Sequence, residues 1–230
     1  NIKAVSEYIP IFNEHETVLI LLPLHHIFPL LGSMMAPLMV GGKTAMSPTL
    51  NTEDILKTLQ NHKVNIIIGV PRLYAVIRKG IMEKVRASKP GRIMFSLARK
   101  LNSRNFSKKV FKAVHEKFGG NLKYMVCGGA PLDPEVAMDY KTLGFEMLEG
   151  YGMTEAAPMI SFTRPGNWII GAAGQIMPDV KVEIRDGEIV ASGKNIMQGY
   201  YNKPDDTAAI LRDGWLYTGD LGEVDRNGFI

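Results

Sequence analysis

Short apolar runs alternate with stretches of helical periodicity through the first two thirds of the chain. Four runs of strand length have few polar residues, and they lie at 18–22, 65–70, 124–127 and 145–148. Between them, apolar residues at helical spacing predict helices at 73–86, 105–118 and 133–143. The last begins at Asp133-Pro134, an N-cap residue followed by proline at the first helical position. This alternation indicates an α/β fold with a doubly wound parallel sheet.

The pattern changes after residue 166. Two short strands are predicted at 180–184 and 188–191, and the pair Asp186-Gly187 between them is a strong hairpin signal. A second turn, Arg226-Asn227-Gly228, is flanked by predicted strands at 222–225 and 228–230. We therefore expect two units, an α/β part at 1–165 and a small antiparallel β subdomain at 166–230.

A stretch without any charged residue runs from 17 to 42 and is long enough to span a bilayer. Three prolines and the pair His25-His26 interrupt it, and each proline removes a backbone donor that lipid cannot replace. We favour a buried strand, a loop and then an apolar helix that contains Gly32, Ser33 and Ala36 over a membrane span.

The charge of the chain is unevenly distributed. Residues 78–117 contain 13 Lys and Arg against two acids, whereas the remainder contains 14 basic and 21 acidic residues. Such a segment can meet anionic lipid, nucleic acid or cofactor phosphates, or can be an ordinary solvated surface. We expect no nucleic-acid partner and consider a peripheral contact with an anionic membrane. The single cysteine, Cys127, excludes an internal disulfide and a cysteine metal cluster, which favours a cytoplasmic location. The peripheral membrane contact would then be on the inner face of the membrane.

Four motifs follow one another in a characteristic order. The first three are LPLHHIF at Leu22–Phe28, CGGAPLD at Cys127–Asp133 and EGYGMTE at Glu149–Glu155. The fourth is a pair of segments, GEIVASG at Gly187–Gly193 and GWLYTGD at Gly214–Asp220, with Gly199-Tyr200-Tyr201 between them. Together they resemble the adenylate-forming (AMP-binding) superfamily of acyl-CoA synthetases, luciferases and peptide-synthetase adenylation domains. The resemblance covers essentially the whole chain.

The glycines of the second motif follow a predicted strand, where open α/β sheets bind ligands. Gly128 and Gly129 have no Cβ and would let a flat purine approach the backbone, although a tight turn alone would also explain them. The resemblance implies that Gly128, Gly129, Ala130 and Pro131 pack against adenine. It also implies that Tyr151 flanks the ring and that Gly152 and Met153 belong to the same nucleotide site.

Polar residues of the later motifs suit phosphate, metal and ribose. A hydroxyl at Thr154 can bond a phosphate oxygen and a carboxylate at Glu155 suits Mg²⁺, whereas both residue types are also common at a helix start. The resemblance puts Thr154 on the α-phosphate and Glu155 on Mg²⁺. It assigns Asp220 to the ribose, where an ordinary turn is the alternative, and His26 to positioning the substrate carboxylate, where a core histidine is the alternative.

The reaction implied by the resemblance is attack by a carboxylate on the α-phosphate of ATP, followed by transfer of the acyl group to coenzyme A. Thr154, Glu155 and His26 form the expected catalytic set. The segment Val70–Tyr74 and the long basic insert after it resemble long-chain fatty acyl-CoA synthetases, so a fatty acid is the expected substrate. The alternatives are an amino-acid or aryl-acid adenylation domain and a non-catalytic nucleotide- or acyl-binding homologue.

Parts of the resembled active site are absent from these residues. No Ser-, Thr- and Gly-rich loop ending in Pro-Lys-Gly occurs, and neither the hinge nor the C-terminal domain with its adenylation lysine is found. Residues 1–165 would then be a nucleotide- and acyl-binding subdomain without its first part, and 166–230 a β subdomain that stops before the hinge. We expect these residues alone to have no synthetase activity.

Overall fold

The computed structural model describes all 230 residues and contains two sheets. The strands of the larger sheet are β1 (Thr17–Ile20), β2 (Lys43–Met46), β3 (Ile66–Gly69), β4 (Tyr124–Cys127), β5 (Met147–Gly152), β6 (Met159–Phe162) and β7 (Gln175–Ile176). Their order is β2-β1-β3-β4-β5-β6-β7. The pairs from β2 to β5 are parallel, and β6 and β7 add antiparallel strands at one edge. The predicted α/β class is confirmed.

The smaller sheet is entirely antiparallel, with the order β10-β11-β9-β8. Its strands are β8 (Val180–Arg185), β9 (Glu188–Gly193), β10 (Leu211–Arg212) and β11 (Trp215–Leu221). The predicted hairpin joins β8 and β9. Both of its turn residues, Asp186 and Gly187, have positive φ, as the type I′ turn requires.

The chain has nine α-helical segments, of which the first eight lie in the connections of the larger sheet and the last lies between β9 and β10 of the smaller sheet. They are α1 (Ile27–Pro29), α2 (Ala36–Met39), α3 (Thr52–Asn61), α4 (Pro71–Arg86), α5 (Lys89–Leu101), α6 (Arg104–Val110), α7 (Lys112–Lys117), α8 (Pro134–Thr142) and α9 (Pro204–Ile210). Two π-helical segments, Ala4–Tyr8 and Leu30–Met35, and a 3₁₀ turn at Thr154–Ala156 complete the helical elements. At the start of α8, Asp133 accepts from the backbone N–H groups of Glu135 and Val136, which is the predicted N-cap.

The larger sheet is buried on both faces, which is why its central strands read as continuous apolar runs. Ile67 of β3 packs in a core with α3, α4 and α8, whereas Ile66 and Ile68 pack in a second core with the helix that contains Leu31 and Ala36. Alternate side chains of one strand therefore belong to different cores. This arrangement is the double winding that the sequence predicts.

The charge-free stretch folds as expected. It forms β1, a loop, and one continuous helix from Ile27 to Met39 in which α1 and α2 flank the π-helical segment. Gly32 lies against the sheet, because a Cβ there would be 2.8 Å from Cδ1 of Ile68. None of the helices is both long and apolar enough to cross a membrane.

The prediction was wrong in the basic insert. The predicted helix at 105–118 is two helices, α6 and α7, and α5 was not predicted. The boundaries of α5 have local causes: Ser88 and Ser103 accept backbone N–H bonds as N-caps of α5 and α6, and Asn102 ends α5 in the left-handed conformation. These capping residues are signals that the sequence contained. No side chain caps the start of α7 at Phe111.

The end of the chain also differs from the prediction. The strands predicted at 222–225 and 228–230 do not form, because the side chain of Asp225 accepts the N–H groups of Asn227 and Phe229 in a tight turn. Phe229 makes a single bridge to Gln175. The division at 165/166 stays a prediction, and β7, which follows that boundary, pairs with the larger sheet.

Candidate nucleotide site

The site begins where β4 and β5 end, side by side and parallel. The loop after β4 starts at Gly128, where a Cβ would lie 3.1 Å from Cζ of Phe28 and 3.4 Å from the carbonyl oxygen of Gly150. Gly128 is buried by these contacts, whereas Gly129, Ala130 and Pro131 are exposed. Three predicted segments therefore meet at one edge of the sheet, and a backbone surface remains open beside them.

A hydrogen bond joins this edge to the smaller sheet. The hydroxyl of Tyr151, in β5, donates to Oδ2 of Asp220, in β11, over 2.7 Å. Burial raises the pKa of Tyr151, and the bond to Asp220 raises it further. The phenol therefore stays protonated and remains a donor to the carboxylate.

Asp220 is held in a well-defined turn. Its backbone N–H donates to Oγ1 of Thr218 over 3.1 Å, and that hydroxyl donates to the carbonyl oxygen of Ile189 over 2.7 Å. The N–H of Gly219 donates to Oε1 of Glu188 over 2.7 Å. Because Asp220 is exposed, its carboxylate is presented to solvent at a position fixed by β9.

The turn after β5 presents Thr154 and Glu155. Gly152 makes this turn possible, because a Cβ there would be 1.8 Å from the carbonyl oxygen of Pro158. Thr154 is exposed, and only one 3₁₀ turn follows it, with no side-chain cap at Met153. Thr154 and Glu155 therefore do start a helical turn, as the helix-start alternative expects, although it is a 3₁₀ turn of three residues, and their role at phosphate and metal stays a prediction.

The sequence of this chain matches the model of the AMP-binding enzyme family over residues 1–201. The chain belongs to the AMP-binding enzyme family. The resemblance inferred from the motifs is thereby confirmed at the level of the family.

Curated relatives of this AMP-binding chain include ligases for different acids. A long-chain-fatty-acid–CoA ligase (FadD15) of Mycobacterium bovis is 28% identical over 250 residues, which cover 100% of this chain and 41% of the relative. A feruloyl-CoA synthase of an Amycolatopsis species is 29% identical over 93% of this chain and 40% of the relative. The chain thus spans about two fifths of the length of these relatives.

Solved structures show the same fold. The N-terminal domain of FACL13 from Mycobacterium tuberculosis matches with a TM-score of 0.77 at 20% identity, over 99% of this chain and 53% of that one. Apo MatB from Rhodopseudomonas palustris matches with a TM-score of 0.76 at 23% identity, over 100% and 42% of the two chains. At this identity the likeness establishes the architecture of the AMP-binding chain.

The structure gives His26 a different setting from the other predicted residues. It is exposed at the start of α1, with its ring centroid 4.3 Å from that of His25. The alternative of a buried core histidine is therefore wrong. No hydrogen bond joins its ring to Thr154, Glu155 or Asp220, so its role at the substrate carboxylate stays a prediction.

One residue that contacts the candidate site was not predicted. The hydroxyl of Tyr200 donates to Oε1 of Glu155 over 2.6 Å, and the N–H of Met197 donates to the carbonyl oxygen of Glu155 over 2.8 Å. Tyr200 lies in the motif Gly199-Tyr200-Tyr201, which marked the segment but gave no partner for its side chains. The segment after β9 therefore holds both the backbone and the carboxylate of Glu155.

A second acid of the same motif is buried. Glu149, 8% exposed, accepts from Nε1 of Trp168 over 2.9 Å, and its backbone exchanges hydrogen bonds with Thr163. Burial raises the pKa of Glu149, and the bond from Trp168 only partly opposes that shift. Burial, together with Glu149, raises the pKa of the neighbouring Cys127 thiol to about 12.

Glu155 is the carboxylate best placed to hold a metal ion. No group of three or more His, Cys, Asp or Glu side chains forms a ready metal site in this chain. Mg²⁺ commonly takes only one or two protein carboxylates, and substrate phosphates and water supply the other ligands. A half-exposed Glu155 with Oε2 outside the bond to Tyr200 fits that mode.

Proposed function

We propose that the whole protein uses ATP to activate a carboxylic acid as an acyl adenylate and then transfers the acyl group to coenzyme A. The observation that carries this proposal is the bond between Tyr151 and Asp220, which joins two motifs 69 residues apart. It sets an aromatic ring and an exposed carboxylate beside the glycine loop at Gly128. That arrangement suits a base and a ribose in one nucleotide.

Each residue of the site then has a role. The loop at Gly128–Pro131 and the ring of Tyr151 take the adenine, with Gly152 and Met153 completing the wall. Asp220 accepts hydrogen bonds from the ribose hydroxyls, and Thr154 donates to the α-phosphate. His26 orients the substrate carboxylate and removes no proton, because a carboxylate is already ionised at neutral pH.

The reaction brings two anions together, so positioning and electrostatic stabilisation are the main requirements. Glu155 would hold Mg²⁺, which when bound neutralises charge on the phosphates. Tyr200 fixes the rotamer of that carboxylate through Oε1, and Oε2 stays available. Thr154, the preceding residue, is exposed.

We propose a long-chain fatty acid as the substrate. The helix from Ile27 to Met39 packs on the sheet next to the site, and a narrow apolar pocket of about 20 Å³ separates the two beside Phe28, Gly32 and Phe162. An apolar pocket suits an acyl chain, although this one must widen to admit it. The feruloyl-CoA synthases among the relatives support an aryl acid as the second candidate.

The test is a substrate panel on the whole protein. ATP-dependent pyrophosphate release and CoA thioester formation are measured with saturated acids from acetate to stearate, with ferulate and with amino acids. We expect kcat/KM to rise by roughly four-fold per added carbon until the pocket is full, since each buried methylene contributes about 0.8 kcal/mol. A preference for ferulate would move the assignment to aryl acids. No turnover with any acid would favour a non-catalytic binding protein.

The pocket can be probed separately with Gly32→Ala. The new methyl group meets Cδ1 of Ile68, the end of a flexible side chain, so we expect a shorter preferred chain with unchanged ATP affinity. An unchanged chain preference would place the acyl group elsewhere.

A cytoplasmic location is likewise a proposal, supported by the single buried cysteine of the chain.

A further inference from the structure

Helix α5 has apolar residues on two faces. Phe95 and Ala98 pack against the core. Ile93, Leu97 and Leu101 recur every fourth residue on another face and are 62%, 39% and 52% exposed. Residues at this spacing form a continuous row on a helix surface, and an ordinary surface helix is polar there. We call these three residues the outer row, and no part of this chain covers it.

Cations without carboxylate partners border the outer row. Lys89 lies one turn before Ile93, and Lys100 lies one turn after Leu97, so both flank the row on the same side. Arg92 and Arg99 come next around the helix. None of these four takes part in an ion pair, and residues 84–115 contain no Asp or Glu at all. Their charge is therefore free to attract an external anion.

An open groove lies along the same flank. It has a volume of about 470 Å³ and lies between the end of α4 and α5, where its lining includes Arg86, Arg92, Arg99 and the ring of Phe95. Guanidinium groups bind phosphate through paired N–H donors, and three arginines line this groove. The groove is thus suited to a phosphate monoester or diester rather than to a metal or an apolar molecule.

We propose that α5 docks the protein on a membrane surface that contains anionic phospholipid. The outer row enters the boundary between headgroups and acyl chains, and Arg86, Arg92 and Arg99 bind lipid phosphates in the groove. An apolar face bordered by cations is typical of helices that lie in a membrane interface. Nucleic acid would use the cations but would leave the outer row exposed to water, so lipid accounts for both features.

The experiment is flotation of the whole protein with vesicles of phosphatidylcholine alone and of equal parts phosphatidylcholine and phosphatidylglycerol. We expect binding to the anionic vesicles, weakened by salt, and little binding to the neutral ones. Arg86→Gln with Arg92→Gln and Arg99→Gln should reduce the binding by on the order of 100-fold, because each cation near the surface contributes roughly five-fold. Ile93→Ser with Leu97→Ser and Leu101→Ser should reduce it by about ten-fold or more.

Matched controls carry the same numbers of changes elsewhere. Lys43→Gln with Lys181→Gln and Lys194→Gln removes equal charge from exposed positions, and Leu38→Ser with Met39→Ser and Leu50→Ser removes exposed apolar side chains. Both controls should bind vesicles like the parent protein. Circular dichroism and thermal unfolding of each variant establish that it is folded.

Several results would overturn the proposal. One is a whole protein that does not bind anionic vesicles, and another is binding that the α5 variants and the controls change equally. A serine variant that shifts a dimer to a monomer would make the outer row an interface between copies. Binding to duplex DNA that the arginine variant abolishes, without vesicle binding, would assign the groove to nucleic acid. The readout does not involve acyl activation, so failure here leaves the proposed reaction intact.

Discussion

Glu149 and Glu155 belong to one seven-residue motif, yet their surroundings are opposite. Glu149 is buried inside the sheet edge, where its carboxylate accepts from Trp168 and its backbone pairs with Thr163. Glu155 is only half-buried, and its carboxylate is held from one side by the Tyr200 hydroxyl. Three residues of turn, beginning at Gly152, carry the chain from one environment to the other.

The contrast separates an acid enclosed by the fold from an acid that is open to a ligand. A carboxylate that is buried and bonded to neutral donors stabilises its surroundings but cannot reach a ligand. A carboxylate held in one rotamer with an oxygen open to solvent can bind a cation without first becoming ordered. The motif therefore combines a buried acid with the acid proposed to bind Mg²⁺, and each can be tested alone.

The largest expected effect is on activity. In the whole protein, Glu155→Gln keeps the shape of the side chain and removes its charge, so adenylation should fall by about 10²–10³ with little change in stability. Pyrophosphate release at saturating ATP and Mg²⁺ measures it. Glu223→Gln, at another exposed position, is the matched control. An unchanged rate would show that Glu155 is part of the turn and has no role in adenylation.

The next effect is on stability. Glu149→Ala leaves the indole N–H of the partly buried Trp168 without its acceptor, and we expect the free energy of unfolding to fall by about 1–3 kcal/mol. Glu149→Gln keeps an acceptor oxygen and should cost less. Urea unfolding of the whole protein, followed by tryptophan fluorescence, distinguishes the two variants. Equal losses would show that the indole bond is not what makes Glu149 important.

A smaller effect concerns pH. Because burial raises the pKa of Glu149, the folded state binds more protons than the unfolded state between the ordinary glutamate pKa of about 4.3 and the raised value. The free energy of unfolding should therefore decrease as pH rises through that window and then stay level. Glu149→Gln should remove this decrease. The melting temperatures of the parent protein and of Glu149→Gln, measured across the acidic pH range, test this expectation. If the melting temperatures of the two proteins change with pH in parallel, Glu149 does not cause the decrease.

The smallest effect is at Tyr200. Tyr200→Phe removes one partly exposed hydrogen bond to Glu155, worth about 1 kcal/mol. We expect the concentration of Mg²⁺ needed for half-maximal activity to rise a few-fold, with kcat at saturating Mg²⁺ nearly unchanged. Tyr201→Phe is the control, since the neighbouring ring is exposed and makes no such bond. A fall in kcat alone would mean that Tyr200 does not act through metal binding.

The sequence predicted the parts of the fold that depend on local chemistry. The strand Tyr124–Cys127, the N-cap at Asp133 and the turn at Asp186-Gly187 all occur where short patterns placed them. Helix α5 was missed although its sequence carried the local signals. It is strongly amphipathic, Ser88 caps its start, and Asn102 ends it in the left-handed conformation.

The nucleotide site was predictable as a set of residues but not as a set of contacts. Motif order brought Gly128, Tyr151 and Asp220 into one hypothesis. The parallel pairing of β4 and β5 explains why Gly128 and Tyr151 meet, whereas Asp220 comes from an antiparallel strand of the smaller sheet. The bond from Tyr200 to Glu155 spans 45 residues and depends on how the segment after β9 packs against the turn after β5. No local pattern encodes that contact, so only the folded chain reveals it.

The buried thiol of Cys127 has a practical consequence. It is 1% exposed, and its pKa of about 12 leaves almost no thiolate at neutral pH. Maleimides and iodoacetamides react with thiolates, so they should not modify Cys127 while the chain is folded. A cysteine introduced on the surface of this chain could then carry a fluorophore or a spin label at one chosen position, with no need to replace the native one.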